Sequence, residues 1–390
     1  MAKRPRKNVG VIGLGIIGRA VTLNLRKAGF HVFVWNRTPR PVPNFVGSPA
    51  ELAEMCDYIQ IFVSDDDALL ATAQRLTATL TPNHVVMAHS TVSPDSMRAA
   101  AEIVERRGAR FVEAPFTGSK AAADKGELVY YVGGDEVAIE RSLPVLEASS
   151  REVVVIGQVG QATTIKIATN IVTSASVQAA AEALALVHHS GLSLEKFAIA
   201  LKNNPSYSTT LAMKLPKMLI GKFEPHFSVK HMLKDMQIAN RMGQIHHLDL
   251  GVTAASRDRL LEETNRGDGD EDFSAVARKY LANLYSREEP DMDLFTSERR
   301  IEPAAEIAVA AEANSSASSG NSHEVVTPRE EHTRARESFE ELIPPIEPII
   351  AEPAEPVVAG ISQRDEPNAK RENNVRPSFL SRLLRRTSDY

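Results

Sequence analysis

Residues 9–18 read VGVIGLGIIG, and this stretch decides the fold. An apolar run enters Gly13-x-Gly15-x-x-Gly18, and a helical pattern, RAVTLNLRKAG, follows directly. In such a strand–turn–helix setting the first glycine allows the tight turn, the second lets the backbone approach a pyrophosphate, and the third lets helix and strand pack closely. The helix N-terminus then offers free N–H groups and a positive dipole end to phosphates. The residues assigned to this dinucleotide-binding turn are Gly13, Leu14, Gly15, Ile16, Ile17 and Gly18.

The rest of the chain divides into zones of different composition. Over residues 8–160, short β-branched runs alternate with helical patterns, which is typical of βαβ units and a mainly parallel sheet. Residues 161–285 show helical periodicity, and their first segment is long and alanine-rich, as expected of a helix that links two domains or lies in a subunit interface. We therefore predict an α/β fold with an N-terminal Rossmann domain over 8–160 and an all-α domain for substrate binding and oligomerisation over 161–285.

Both ends of the chain differ from these two domains. Residues 1–7 form a basic extension that no long apolar stretch follows, so a signal peptide is not predicted. Residues 286–390 are rich in Pro, Glu, Ser and Ala, which predicts a disordered tail. Within it, residues 378–387 place apolar side chains on one helical face and arginines mostly around the others. This segment is a candidate amphipathic helix that contacts an unknown protein or a membrane surface, and an unstructured end is the alternative.

Bulk composition argues against several classes of protein. The chain has 390 residues, of which 43 % are hydrophobic and 24 % charged, and its net charge of −5 shows no basic bias toward nucleic acid. No uncharged apolar run approaches the roughly 20 residues that a membrane span requires. Cys56 is the only cysteine, which rules out an internal disulfide and suits a reducing compartment. We therefore expect a cytoplasmic protein in which Cys56, on a helix, is a small buried residue.

The end of the second predicted strand indicates which dinucleotide is bound. An NAD-binding protein usually places Asp or Glu there to bind the ribose 2′-hydroxyl. Here VFVWNRT ends in Asn36, Arg37 and Thr38, and no carboxylate is present. The Arg37 guanidinium can stack on adenine and pair with a 2′-phosphate. The sequence thus favours NADP, with NAD as the alternative, and the prolines after Thr38 argue against a helix in the next segment.

Two further strand ends carry candidate cofactor contacts. The run IFVSDDD places Val63 and Ser64 at the carboxyl end of one strand, and AHSTVSP places Ser90 and Thr91 at the end of the next. Ligands bind at this edge in doubly wound folds, so the two hydroxyls of Ser90 and Thr91 are expected near the nicotinamide ribose.

A metal site is not predicted. The aspartates at 65–67 resemble a ligand cluster, but carboxylates also suit the first turn of a helix, and that interpretation is preferred. The histidine pairs 188–189 and 246–247 are adjacent in sequence, so the two rings of each pair point about 100° apart on a helix. Neither pair forms a natural two-ligand zinc face.

A lysine stands among small and apolar residues in GQVGQATTIKIATN, residues 157–170. Lys166 and Asn170 are four residues apart and share one face of the predicted helix. A lone ammonium is costly to bury in such company, which makes Lys166 either a solvated lysine near a helix start or a functional group.

Six segments, in this order, resemble the β-hydroxyacid dehydrogenases, which include 3-hydroxyisobutyrate dehydrogenases. They are GVIGLGIIGRAVTLNLRKAGFHVFVWNRT, HSTVSP, EAPFTGSKAAADKGELVYYVGGD, GQVGQATTIKIATN, FSVKHMLKDMQIA and GDGDEDFSAV. The likeness spans roughly residues 8–285, and WNRT, GSK and GQVG most resemble the glyoxylate/succinic semialdehyde reductase branch.

The resemblance implies roles for individual residues. Lys166 corresponds to the family's catalytic lysine and Asn170 to its companion, which also contacts substrate. The loop that binds the substrate carboxylate corresponds to Thr117, Gly118 and Ser119, where Thr117 replaces the usual serine. Lys234 corresponds to a lysine that closes over the cofactor, and Thr91 to a threonine beside the nicotinamide.

The implied reaction is the reduction of a small aldehyde acid by NADPH, in a homodimer or homotetramer. Two alternatives stay open. One is an NAD-dependent 3-hydroxyisobutyrate dehydrogenase, and the other is a non-catalytic protein that binds a cofactor and recruits partners through its tail. The segment after Thr38 is shorter than in typical members, and the tail after 285 lies outside the family pattern.

Overall fold

The computed structural model describes residues 8–285. The basic extension at 1–7, the tail at 286–390 and the candidate amphipathic helix at 378–387 lie outside the described residues. We call residues 8–160 the sheet part and residues 161–285 the helical part.

The centre of the sheet part is a single sheet of eight strands. The strand order is β2-β1-β3-β4-β5-β7-β6, and β8 also pairs with β7. The first five strands are parallel to one another, and β5 and β6 share one antiparallel register with β7, with Glu113 opposite Gly133 and Phe116 opposite Tyr130. The mainly parallel sheet is therefore confirmed. The two-residue β6 was not predicted, because it is too short to show an alternating pattern. The strands are β1 Asn8–Ile12, β2 His31–Trp35, β3 Tyr58–Ile61, β4 Val85–Ala88, β5 Arg110–Glu113, β6 Phe116–Thr117, β7 Leu128–Gly134 and β8 Ser150–Gly157.

Helices cover both faces of this sheet, and each face has its own apolar core. Strand residues alternate between the two cores, with Val11 in one and Ile12 in the other, as the period of a strand requires. The segment after Thr38 contains no helix until α2, as its prolines predict. The helices are α1 Ile16–Lys27, α2 Pro49–Met55, α3 Asp66–Leu76, α4 Pro94–Glu105, α5 Lys120–Lys125 and α6 Glu136–Leu146.

The helical part is built around α7, Gln161–His189, which also contacts β7 and β8 of the sheet part. Val177, Ala181 and Leu184 of α7 belong to a third apolar core shared with α9, α10 and α12. By length and composition alone α7 could cross a membrane, and 28 % of its most apolar window is buried. The central helix of a soluble protein meets the same criterion. The other helices are α8 Leu194–Lys202, α9 Thr209–Ile220, α10 Val229–Ile245, α11 Gly251–Glu263 and α12 Arg278–Tyr285.

Cys56 follows α2 directly as its C-terminal cap rather than lying on the helix, and it is buried, as predicted. Burial raises the pKa of its thiol to about 12, so the reactive thiolate is scarce at neutral pH.

Candidate active site

A cleft of about 860 Å³ lies between the carboxyl ends of the strands and the helical part. It brings together most residues that the sequence singled out, although they come from segments more than 200 positions apart. The predicted residues that line it are Gly15, Ile16, Ile17, Gly18, Val63, Ser64, Ser90, Thr91, Thr117, Gly118, Ser119, Lys166, Asn170 and Lys234. The predicted residues outside its lining are Gly13, Leu14, Asn36, Arg37 and Thr38.

The glycine turn has the geometry of a dinucleotide cradle. Gly13 has φ +98°, and a Cβ there would lie 1.9 Å from the Phe62 carbonyl oxygen, so only glycine fits. A Cβ on Gly18 would lie 2.0 Å from the Gly13 carbonyl oxygen, which explains the close approach of α1 to the turn. A Cβ on Gly15 would meet nothing within 4 Å, so the space above it is open. With no side-chain cap and no acidic residue in its first turn, the start of α1 fits a pyrophosphate.

Asn36 supports this turn from the end of β2. Its Oδ1 accepts a hydrogen bond from the Leu14 N–H at 2.9 Å, and its Nδ2 donates to the Thr38 carbonyl at 2.8 Å. Asn36, which was predicted to contact the cofactor, therefore also stabilises the glycine turn through its hydrogen bond with Leu14. Arg37 and Thr38 are exposed beside it, at the end where the second strand of a Rossmann fold meets the adenosine.

The ends of β3 and β4 are tied together by hydrogen bonds that sequence reasoning did not anticipate. The Val63 N–H donates to Ser90 Oγ at 3.0 Å, so the Ser90 hydroxyl, expected near the nicotinamide ribose, accepts a bond inside the protein. Asp65 caps α3 by accepting from the Ala68 N–H, and Asp66 accepts from the Ser93 N–H and hydroxyl. The interpretation of the aspartates as a helix start is confirmed, and no group of potential metal ligands occurs within residues 8–285.

The predicted carboxylate loop begins at Thr117, the last residue of β6. Gly118 has φ +136°, a conformation that favours glycine, and Ser119 Oγ caps α5 by accepting from the Ala122 N–H. Thr117, Gly118 and Ser119 all border the cleft, as Lys166 does.

Lys166 lies in the second turn of α7 and opens onto the cleft. The side chain is partly exposed to the cleft, yet desolvation lowers the pKa of its amine from 10.5 to about 8, with Lys234 lowering it further and Asp235 opposing. The Lys166 side chain is therefore not freely solvated, and its catalytic role stays a prediction. An amine with a pKa near 8 can exchange a proton at neutral pH.

A chain of hydrogen bonds connects Lys166's helix to the sheet part. Asn170 Nδ2 donates to Asp235 Oδ2 at 2.6 Å, and Lys234 Nζ donates to Asp235 Oδ1 at 2.7 Å. Lys234 Nζ also donates to the Thr91 carbonyl oxygen across the cleft. Asp235 is fully buried at the centre of this network. Sequence reasoning singled out Lys234 but assigned no role to Asp235, the residue that follows it.

An aromatic cluster that sequence reasoning missed borders the cleft through Phe62, His89 and Phe116. His89 stacks on Phe62 with ring centroids 4.4 Å apart, and Tyr130 and Phe116 extend the cluster. The His89 Nδ1–H donates to the Ala114 carbonyl at 2.8 Å, and Nε2 has no hydrogen-bond partner among the described residues. Burial lowers the pKa of His89 from 6.5 to about 4, so the ring is neutral at physiological pH.

His89 should make the protein sensitive to acid. Between the unfolded pKa near 6.5 and the folded pKa near 4, the unfolded state binds more protons, so stability falls as the pH drops through that window. The expected loss is about 3 kcal/mol. His89→Met should remove most of this loss, as measured by urea unfolding at neutral pH and near pH 4.5. His246→Met, at an exposed histidine, is the matched control, and equal acid sensitivity of wild type and His89→Met would contradict the assignment.

Because the dinucleotide cradle opens into the same cleft as an amine of lowered pKa, the fold and the site together define a Rossmann-type NAD(P)-dependent dehydrogenase. Comparisons with known proteins make this more specific. Residues 8–157 match the family model described as the NAD-binding domain of 6-phosphogluconate dehydrogenase, and residues 160–280 match the one described as NAD-binding of NADP-dependent 3-hydroxyisobutyrate dehydrogenase.

Two curated relatives and a solved structure agree with those matches. Glyoxylate/succinic semialdehyde reductase 1 of Arabidopsis thaliana is 32 % identical, over 72 % of this chain and 99 % of the relative. The cytokine-like nuclear factor N-PAC of Mus musculus is 30 % identical over 70 % of this chain, which spans only about half (51 %) of that relative. The 3-hydroxyisobutyrate dehydrogenase structure from Salmonella typhimurium has a TM-score of 0.65, at 23 % identity, over 70 % of this chain and 100 % of the other. The chain belongs to the β-hydroxyacid dehydrogenase family.

Proposed function

We propose that this protein reduces a small aldehyde acid, such as glyoxylate or succinic semialdehyde, to the hydroxy acid with NADPH. The observation that carries the proposal is the Lys166 amine of lowered pKa, which borders the same cleft as the Thr117–Ser119 loop. The similarity to the Arabidopsis reductase supports this choice of substrate class.

The chain's own residues would perform three tasks in this reaction. The bound nicotinamide cofactor supplies the hydride. Backbone N–H groups of the Thr117–Ser119 loop and the Thr117 hydroxyl hold the substrate carboxylate. Lys166 hydrogen-bonds the carbonyl oxygen and donates a proton to it as negative charge develops, which contributes about 10²- to 10⁴-fold. Asn170 keeps the lysine-bearing face of α7 in line through its bond to Asp235.

Arg37 supports the proposed preference for NADP over NAD. An exposed guanidinium at the end of β2, with no carboxylate beside it, suits a 2′-phosphate. Arg37→Ala should weaken NADPH binding about 10- to 100-fold, since a charge-assisted hydrogen bond contributes about 1.5–3 kcal/mol. NADH binding should change little. Fluorescence titration of both cofactors measures this, with the exposed Arg107→Ala as control, and an equal effect on both cofactors would refute the assignment.

The reaction itself is tested by an aldehyde panel. Glyoxylate, succinic semialdehyde and methylmalonate semialdehyde are each assayed with NADPH and with NADH, and 3-hydroxyisobutyrate is assayed in the oxidative direction. Turnover of an aldehyde acid with NADPH is the expected result. Oxidation of 3-hydroxyisobutyrate with NAD preference would favour the dehydrogenase alternative. Tight NADPH binding without turnover of any substrate would favour the non-catalytic interaction protein.

We also propose that the helical part mediates a homodimer or homotetramer. Val172 and Leu186 of α7 are 67 % and 71 % exposed, and Ile199 of α8 is 64 % exposed. No residue of α8 is buried in the single chain, although the helix is amphipathic. Apolar surface of this kind indicates a protein interface. Sedimentation analysis at micromolar concentration tests the proposal, and a monomer mass would refute it.

A further inference from the structure

The helix that carries Lys166 begins without a cap of its own. Gly160, at the N-cap position of α7, has φ +96° and no side chain, and a Cβ there would lie 2.4 Å from a nitrogen of Arg98. The first N–H groups of a helix have no partner within the helix, so a start of this kind needs an acceptor from elsewhere.

A buried glutamate from β5 supplies that acceptor. Glu113 Oε1 accepts from the Ala162 N–H at 2.7 Å, while Oε2 accepts from the Thr163 N–H at 3.2 Å and from the Thr163 hydroxyl at 2.7 Å. Glu113 is fully buried and comes from 49 positions earlier in the chain. Burial raises the pKa of Glu113, and the hydrogen bonds from Ala162 and Thr163 oppose that rise. Because both oxygens accept from donors, the geometry suits an ionised carboxylate at the positive end of a helix.

The neighbouring strand leaves room for this carboxylate. Gly133 of β7 lies opposite Glu113 in the sheet, and a Cβ on Gly133 would lie 2.5 Å from Glu113 Oε1. It would also lie 2.7 Å from the Gln158 carbonyl oxygen, in the segment that leads into α7. Any side chain at 133 would therefore displace the carboxylate or the start of the helix.

The capped turn lies directly before the lysine. Ala162 and Lys166 are four residues apart, and helical side chains lean toward the N-terminus, so Lys166 stands over the turn that Glu113 binds. We infer that Glu113 is a positioning residue for Lys166: by fixing the first turn of α7 to β5, it holds the amine inside the cleft. This inference rests on the proposed role of Lys166.

Glu113 could act on Lys166 as a nearby negative charge or as a residue that positions α7. Neutralising Glu113 shifts the Lys166 pKa in opposite directions in the two cases. Asp235 and Lys234 of α10 are the charged groups that act on the amine, and Lys234 also lowers the pKa of Asp65 and of Asp66 in the sheet part. If Glu113 acted on Lys166 as a nearby anion, its neutralisation would lower the lysine pKa. If Glu113 positions the helix, its neutralisation loosens the first turn, admits water to the amine and raises the pKa toward 10.5.

The test compares full-length wild type, Glu113→Gln and the control Glu136→Gln, which changes an exposed glutamate in the first turn of α6. Competitive acetylation of Lys166 over a pH series, read by mass spectrometry of its peptide, gives the amine pKa without cofactor or turnover. We expect Glu113→Gln to raise it by about one unit or more, with Glu136→Gln unchanged. We expect kcat for the preferred aldehyde to fall about 10- to 100-fold, as for a misplaced catalytic group.

An unchanged or lowered Lys166 pKa in folded Glu113→Gln would overturn the inference. If Glu113→Gln does not fold, Glu113→Asp decides by the same acetylation assay, because it keeps the charge and shortens the reach to the Ala162 and Thr163 N–H groups. Failure of wild type to reduce any aldehyde would refute the proposed function, whereas the acetylation result would still decide the role of Glu113.

Discussion

Replacing Lys166 with alanine should lower turnover of the aldehyde acid about 100- to 10,000-fold, the usual contribution of a positioned acid. NADPH affinity should stay within about twofold, because the proposed contacts of the glycine turn with the pyrophosphate and of Arg37 with the 2′-phosphate do not involve Lys166. Stopped-flow turnover and fluorescence titration measure the two quantities on the same preparation.

The rates of reduction and of oxidation should depend on pH in opposite directions. Reduction needs the protonated amine, so the wild-type rate should fall as the pH rises through the Lys166 pKa near 8. Oxidation of the hydroxy acid needs the neutral amine, so that rate should rise through the same pH. Lys166→Ala should lose both limbs, while the exposed Lys196→Ala should keep them. Equal losses of turnover and of NADPH binding in Lys166→Ala would mean that the lysine has a structural role only.

Gly15→Asp should strongly weaken cofactor binding and leave the fold intact. Gly15 has φ −68°, which any residue can adopt, and a Cβ there meets no protein atom within 4 Å. The new carboxylate would occupy the space for the pyrophosphate and repel it, and two unit charges 4 Å apart interact by about 4 kcal/mol near a protein surface. We therefore expect the Kd for NADPH to rise about 100-fold or more.

Gly251→Asp is the matched control for this variant, since Gly251 also begins a helix and also has open space around its Cβ. Calorimetric titration of NADPH, together with thermal unfolding, separates loss of binding from loss of fold. Retention of wild-type NADPH affinity in Gly15→Asp would show that the cofactor does not bind over the glycine turn.

Much of the fold was predictable because its signals are local. Alternating β-branched and helical segments predicted seven of the strands and their mainly parallel arrangement, and GxGxxG between a strand and a helix predicted the cradle. Prolines after Thr38 predicted a segment without a helix, which the structure confirms. In each case the physical cause acts over a few residues. Side-chain period marks the strands and helices, backbone sterics mark the glycine turn, and the missing N–H of proline marks the segment without a helix.

Contacts between distant segments could not be predicted in the same way. Asn36 turns inward to brace Leu14, and the Ser90 hydroxyl binds the Val63 N–H. His89 stacks in an aromatic cluster drawn from β6, β7 and the residues that follow β3 and β4. A residue type shows which bonds a side chain can make, but its partner depends on how the strands are ordered and how closely they approach.

The sequence by itself determined the class of fold, the place of the dinucleotide turn, the absence of a carboxylate after β2 and the shared face of Lys166 and Asn170. Tertiary structure alone decided the environment of that lysine. Three features make up this environment. Lys166 is desolvated in the cleft, and the buried Asp235 binds Asn170 and Lys234. Glu113 of the sheet part caps α7. The physical reason is that burial and a shifted pKa depend on the groups surrounding a side chain, and folding brings those groups together from remote positions.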